Sequence, residues 1–275
     1  MGSSMSRGVG AKLHYETSGD LSNPAVLFLH GFMGSKCDWH DVIGALADDF
    51  FCIAIDLPGH GHTVNLQDDE AYTMVGAAGL MAHVLDEIGI REAHVVGYSM
   101  GGRLALYFAL HYPERCVDVV IESASPGLRH ETDRAARREV DEARARRLET
   151  QEYAMFLEEW YRMPMFASLE RHEGLLERLI TARMRNSPNE LARSLRMMGT
   201  GTQPSLWAEL EDIKVSVLAV AGALDGKYVE IAERMSVLTP MIRTAIISNA
   251  GHDVHAERPT IYLDLVREYL TNPSK

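Results

Sequence analysis

Ser99 stands in Gly97-Tyr98-Ser99-Met100-Gly101, a G-x-S-x-G pattern between an apolar strand-like run and an apolar helix-like run. Such a pattern marks a sharp strand-to-helix turn, crowded enough to need glycine, that leaves the serine oxygen exposed at the carboxyl end of a sheet. A serine at its ordinary pKa is a weak nucleophile and a weak base. It needs a histidine, and the histidine needs a carboxylate to orient it. After an elbow serine the acid and then the histidine are expected, each just past a strand. Asp225 follows "SVLAVAG" and His252 follows "TAIIS", so Ser99, Asp225 and His252 are the candidate catalytic set. Asp253 and Glu122 compete as the acid, and His255 competes as the base. An oxyanion in this site would be met by the N–H of Met100, next to the serine, and by that of Phe32, in the loop after "AVLFLH". His30 reads as a brace for that loop. His60 and His62 form an H-x-H, but no third ligand lies within reach in sequence, so they too read as braces and no metal is expected.

These residues require elements that hold them. Ala25–His30, Phe51–Asp56, His94–Ser99, Val117–Ser123, Ser216–Gly222 and Thr244–Ser248 are short apolar runs, as strands buried on both faces should be. Helical spacing over Tyr72–Ile88, from Met100 onward and over Pro259–Leu270 separates or closes them, so the fold class is α/β with a mostly parallel sheet covered on both faces. From Ser125 to about Ser205 no strand is convincing. Glu131–Glu149 is dense in Arg and Glu at helical spacing, which predicts a solvated helix face with i,i+4 ion pairs. The expected division is a core of residues 5–124 and 206–275, with a helical cap of residues 125–205 inserted between sheet strands.

The bulk composition narrows the function. Apolar residues make up 46% of 275, enough for a large core, and no apolar run approaches the roughly 20 residues of a membrane span. No basic-then-apolar leader is evident, so a cytoplasmic location is expected. Cys37, Cys52 and Cys116 show neither disulfide nor zinc spacing and read as small buried hydrophobes. A net charge of −12 argues against nucleic acid and anionic membranes as partners. It would also repel an anionic substrate unless positive charge is concentrated locally. Arg103 is placed for that: it interrupts an apolar helix one turn after Ser99.

The elbow and the order of its partners identify the chain as similar to the α/β-hydrolase superfamily, from Leu13 to Leu270. Five segments together resemble a narrower family, 2-succinyl-6-hydroxy-2,4-cyclohexadiene-1-carboxylate synthase of menaquinone (vitamin K2) biosynthesis: "LHGFMGSKCDW", "GYSMGGRLALYFAL", "ESASPGL", "GTGTQPSLW" and "AGHDVHAERP". "ESASPGL" and "GTGTQPSLW" are the more specific. The resemblance implies a lyase on a hydrolase scaffold, with no metal and no organic cofactor. Its substrate is a small molecule with three carboxylates, from which it eliminates pyruvate. It also implies substrate contacts from Arg103, from Arg137 and Arg183 in the cap (with Arg138 and Arg185 as neighbouring candidates), and from Tyr98, Trp160 and Phe166. On their own spacing, Trp160 and Phe166 fit cap core equally well.

In the implied reaction Asp225 orients His252, His252 takes the Ser99 proton, and the serine oxygen removes the acidic proton beside the succinyl ketone. Arg103 is expected on the first turns of its helix with its guanidinium turned into the pocket, its partner being substrate rather than protein. The alternative for Arg103 is an ion pair tying cap to sheet. A serine hydrolase of esters or C–C bonds has the same triad, and a non-catalytic ligand receptor can share the fold. A monomer or weak homo-oligomer is expected.

Overall fold

The computed structural model describes residues 12–272. The outermost expected core residues, 5–11 and 273–275, lie outside them. Seven strands form one sheet in the order β1-β3-β2-β4-β5-β6-β7. They are β1 (Tyr15–Ser18), β2 (Ala25–Leu29), β3 (Phe51–Ile55), β4 (Ala93–Tyr98), β5 (Cys116–Glu122), β6 (Ser216–Gly222) and β7 (Ile242–Ile247). All pairings are parallel except β1 with β3. β2, β3 and β4 are buried at every position, which is why they read as unbroken apolar runs. β1 was not foreseen. Its "YETS" is exposed at three of four positions, so hydropathy gives no signal for this edge strand.

Helices cover both faces. α1 (His40–Leu46) and α10 (Pro259–Thr271) pack on one side, and α2 (Met74–Ile88), α3 (Met100–His111) and α8 (Gly226–Leu238) on the other. Between β5 and β6 the chain builds α4 (Glu131–Thr150), α5 (Tyr153–Tyr161), α6 (Leu175–Arg183) and α7 (Pro188–Met198), with their own apolar cluster around Phe156, Leu157 and Leu191. The short α9 (Val254–Glu257) follows β7. Among the described residues no helix is long and apolar enough to cross a membrane.

The chain leaves β2 toward β3 on one side and returns to β4 on the other. The carboxyl ends of β2 and β4 therefore form a topological switch point, the usual crevice for ligands in an open α/β sheet. Cys52 and Cys116 are buried, but Cys37 is exposed, which corrects the expectation for that residue: it sits in the short helical turn before α1, not in a strand.

Candidate active site

Ser99 caps α3 with φ 49° and ψ −105°, outside the regions that non-glycine residues favour. Two hydrogen bonds impose this geometry. The Ser99 N–H donates to the Glu122 carbonyl at 2.8 Å, and the Ser99 carbonyl accepts from Arg103 N–H at 3.0 Å. The flanking glycines answer crowding. A Cβ on Gly101 would lie 2.2 Å from the Leu29 carbonyl oxygen, and one on Gly97 would lie 2.5 Å from that of Gly101.

The structure brings Ser99, His252 and Asp225 together. Ser99 Oγ lies 3.0 Å from His252 Nε2, and His252 Nδ1 lies 2.7 Å from Asp225 Oδ2. A carboxylate only accepts, so Nδ1 carries the proton and Nε2 is free to accept from the serine. The histidine is 1% exposed. Gly31, in the loop after β2, faces the elbow: a Cβ there would lie 2.7 Å from the Tyr98 ring and 3.6 Å from Ser99 Cβ. The Phe32 N–H thus belongs to a loop seated beside the serine, and the Met100 N–H opens α3, where a helix has no acceptor of its own. His30 fixes that loop. Its Nε2 accepts from Leu57 N–H at 3.0 Å, which puts its proton on Nδ1, donating to the Gly31 carbonyl at 2.7 Å. His60 is fully buried against His30 and Phe32, with Nδ1 3.1 Å from the Pro58 carbonyl, while His62 borders Lys36 and Asp56.

Arg103 departs from expectation. Its side chain is buried, and Nη1 donates to the Met198 carbonyl at 3.1 Å and to Gln203 Oε1 at 2.7 Å. The chain thus supplies internal partners, all of them neutral, and no ion pair among the described residues involves Arg103. Burial pushes its pKa down to about 10. Its partners lie in or beside "GTGTQPSLW". That segment is bound in turn to "ESASPGL": Leu206 N–H donates to the Pro126 carbonyl and Trp207 Nε1 to the Gly127 carbonyl. The two most specific motifs are one structural unit around Arg103.

The remaining candidates separate. Arg137 Nε pairs with Asp141 at 2.8 Å, and its partly exposed guanidinium is close enough for its charge to act on Arg103. Arg138 is tied to Glu131 and Gly201 on the outside, and Arg185 is exposed. Arg183 is buried, with Asp38 at 2.6 Å and the Tyr161 hydroxyl at 3.2 Å, so its charge is already met within the chain. Tyr98 lies beneath the histidine, ring to ring at 5.6 Å. Phe166 sets its edge against His252 at 5.7 Å, and Trp160 packs on Phe32 at 5.3 Å, so each serves the insertion's core and roofs the site at once.

Three neighbours were missed. Tyr228 lies tilted against His252, ring to ring at 4.7 Å, Lys227 lies over the Tyr228 ring, and Arg144 lies over Trp160. The available signal for the first two was their place immediately after Asp225, at the start of α8.

The fold and the elbow define a class, and a family model for the alpha/beta hydrolase fold matches residues 24–259. A 2-succinyl-6-hydroxy-2,4-cyclohexadiene-1-carboxylate synthase of Serratia proteamaculans (strain 568) is 33% identical over 93% of this chain and 96% of its own. A Bacillus subtilis (strain 168) protein, provisionally given the same name, is 36% identical over 96% of each chain. The solved structure of MenH from S. aureus superposes with a TM-score of 0.90 at 33% identity, covering 95% of this chain and 99% of that one. The chain belongs to the 2-succinyl-6-hydroxy-2,4-cyclohexadiene-1-carboxylate synthase family of α/β hydrolases.

Proposed function

We propose that this chain is a carbon–oxygen lyase of menaquinone biosynthesis. It eliminates pyruvate from 2-succinyl-5-enolpyruvyl-6-hydroxy-3-cyclohexene-1-carboxylate to give 2-succinyl-6-hydroxy-2,4-cyclohexadiene-1-carboxylate. The observation that carries this reading is Arg103, a guanidinium buried one turn behind Ser99 that meets only neutral oxygens. A buried cation without an acid partner is costly unless an anion arrives to meet it. A neutral ester offers none, whereas this substrate carries three carboxylates.

The geometry of the triad supports a base-triggered elimination. Asp225 holds His252 in the tautomer that accepts the Ser99 proton. The serine oxygen removes the ring proton beside the succinyl ketone as its own proton passes to His252. The enolate oxygen is met by the Met100 and Phe32 N–H groups, each worth about 3 kcal/mol by analogy with other oxyanion holes. The electron pair moves through the ring double bond and expels the enolpyruvyl oxygen. The leaving enolate takes up the proton held by His252, which restores the neutral imidazole, and becomes pyruvate. No acyl-enzyme forms. Arg103 and Arg137 meet substrate carboxylates, which guanidinium groups match in plane. Helices α4–α7 form a cap whose Trp160 and Phe166 exclude water. Arg183, already paired with Asp38, holds that cap to the loop before α1 rather than meeting substrate. We place the enzyme in the cytoplasm, as a monomer or weak homo-oligomer.

The complete triad also favours a second reading, hydrolysis of esters. Purified protein incubated with the enolpyruvyl compound should release pyruvate, followed by coupled reduction to lactate, far faster than it hydrolyses short aryl esters. The reverse ranking would establish the hydrolase instead.

A further inference from the structure

The three residues that compete with the triad in sequence, Glu122, Asp253 and His255, form a second histidine–carboxylate cluster beneath it. Glu122, at the end of β5, is fully buried, and Asp253 is 3% exposed. His255, on α9, donates its backbone N–H to Glu122 Oε1 at 3.1 Å, and its Nδ1 lies 2.8 Å from Glu122 Oε2. Asp253 Oδ1, which has no hydrogen-bond partner of its own, lies 3.3 Å from the same Nδ1. Carboxylate oxygens only accept, so Nδ1 carries a proton. A neutral ring would leave two buried acids uncompensated, an arrangement far costlier than one imidazolium among them. The Trp39 ring lies stacked on His255 at 4.6 Å, the geometry an aromatic face offers a cation.

The cluster is wired to both ends of the catalytic chain. Glu122 holds Ser99 in its unusual backbone conformation through its own carbonyl. His255 lies three residues after His252, on the short helix α9 that ends its loop. The Tyr98 ring stands between the two histidines, 5.6 Å from His252 and 4.9 Å from His255. An apolar patch would serve stability as well as a buried ion pair does. What the ion pair adds is one fixed register between strand end and loop. We propose that His255, as an imidazolium clamped by Glu122 and Asp253, is a positioning residue: it locks the His252 loop to the strand end that holds Ser99, and loss of its proton releases that lock. The proposal rests on the reading that Ser99 and His252 perform the reaction.

The groups facing His255 come from every element packed on it: Glu122 from β5, Asp253 from its own loop, Asp38 from the turn before α1, Arg183 from α6, Tyr98 from β4 and Tyr262 from α10. Burial alone would depress its pKa. Glu122 first and then Asp253 outweigh burial and raise it to about 9.

The test uses the full chain, with pyruvate release measured from pH 6 to 10, and histidine ring signals followed by NMR. The wild type should lose kcat reversibly above pH ~9 as one proton leaves. His255→Gln should lower kcat about 10-fold at pH 7 with KM within ~3-fold, as a displaced base does, and should lack that alkaline fall. Glu122→Gln/His255→Gln removes the charges of the Glu122–His255 pair together and guards against a single variant that fails to fold. Its profile should be equally flat. The His255 signal, assigned by its loss in the variant, should stay protonated at pH 8. A neutral His255 ring at pH 7, or an unchanged alkaline limb in either folded variant, overturns the proposal. A wild type that releases no pyruvate at any pH, with His255 still protonated at pH 8, overturns the lyase reading and not the clamp.

Discussion

At the scale of single residues, the site depends on who donates to whom. His252 has one neighbour that only accepts, Asp225, and one that can donate, Ser99. Ser99→Ala and His252→Ala should therefore each lower kcat for pyruvate release by at least ~10³, by analogy with triad deletions elsewhere. Near-normal turnover by folded Ser99→Ala protein would remove the serine from the mechanism. Arg103 is held by oxygens of the chain itself, where substrate was the expected partner. Its contacts to Met198 and Gln203 mean that Arg103→Ala should lower both kcat/KM, by at least ~10-fold, and the melting temperature. Arg103→Lys should recover part of each, because an ammonium replaces the charge but not the planar two-bond contact. A variant with unchanged stability and lost activity would show that the neutral contacts are incidental. Lost stability with normal activity would make Arg103 a strut alone.

At the scale of elements, the turn between β4 and α3 is a packing problem. The start of α3 presses against the end of β2 so closely that Gly101 cannot carry even a methyl group, since the obstructing atoms are the backbone carbonyls of Leu29 and His30. Gly101→Ala should destabilise the protein by about 2–3 kcal/mol, because backbone cannot step aside as a flexible side chain does. It should also depress turnover, since the loop carrying Phe32 begins where the clash falls. Chemical denaturation gives the first quantity and pyruvate release the second. A midpoint equal to wild type would mean that α3 can slide. The insertion has an element-scale role of its own. Ser168 donates to Glu257 at 2.9 Å, and Glu257 accepts from Gly251 N–H, so the insertion grips the His252 loop from above while Glu122 grips it from below.

For the whole molecule, charge is distributed with purpose. The chain carries a net −12, yet Arg103, Arg137 and Arg144 converge near the site with Asp141 as the acid that pairs with Arg137 and Arg144. A net negative chain repels anions in general, and clustered guanidinium groups offset that locally. The buried His255 cluster makes global stability depend on pH. Its folded pKa, about 9, lies above the unfolded value near 6.5. The folded state therefore holds more protons between those values, and the contribution is full below about pH 6.5 and is lost as pH rises through about 9. The difference in unfolding free energy between wild type and His255→Gln should shrink over that window. A difference constant from pH 6 to 10 would show that the ring is not charged in the fold.

Much of this was legible in the sequence because the relevant signals are local. Short apolar runs announce six strands, although the edge strand β7 is buried only at its two end positions. The glycines of the elbow mark a crowded turn, and the place of Asp225 and His252 after strands follows from where a parallel sheet ends its strands. β1 was illegible because an exposed edge strand has no hydrophobic pattern. Only the tertiary structure decided the partners of charged groups, because a guanidinium or carboxylate takes whatever folding brings within about 3 Å, at any separation along the chain. Arg103 finds Gln203 across 100 residues, Arg183 finds Asp38 across 145, and Glu122 finds His255 across 133. Sequence alone determined which residue types could do the chemistry and in what order. The packing of the insertion on the switch point decided which of them face the site and which of them brace it.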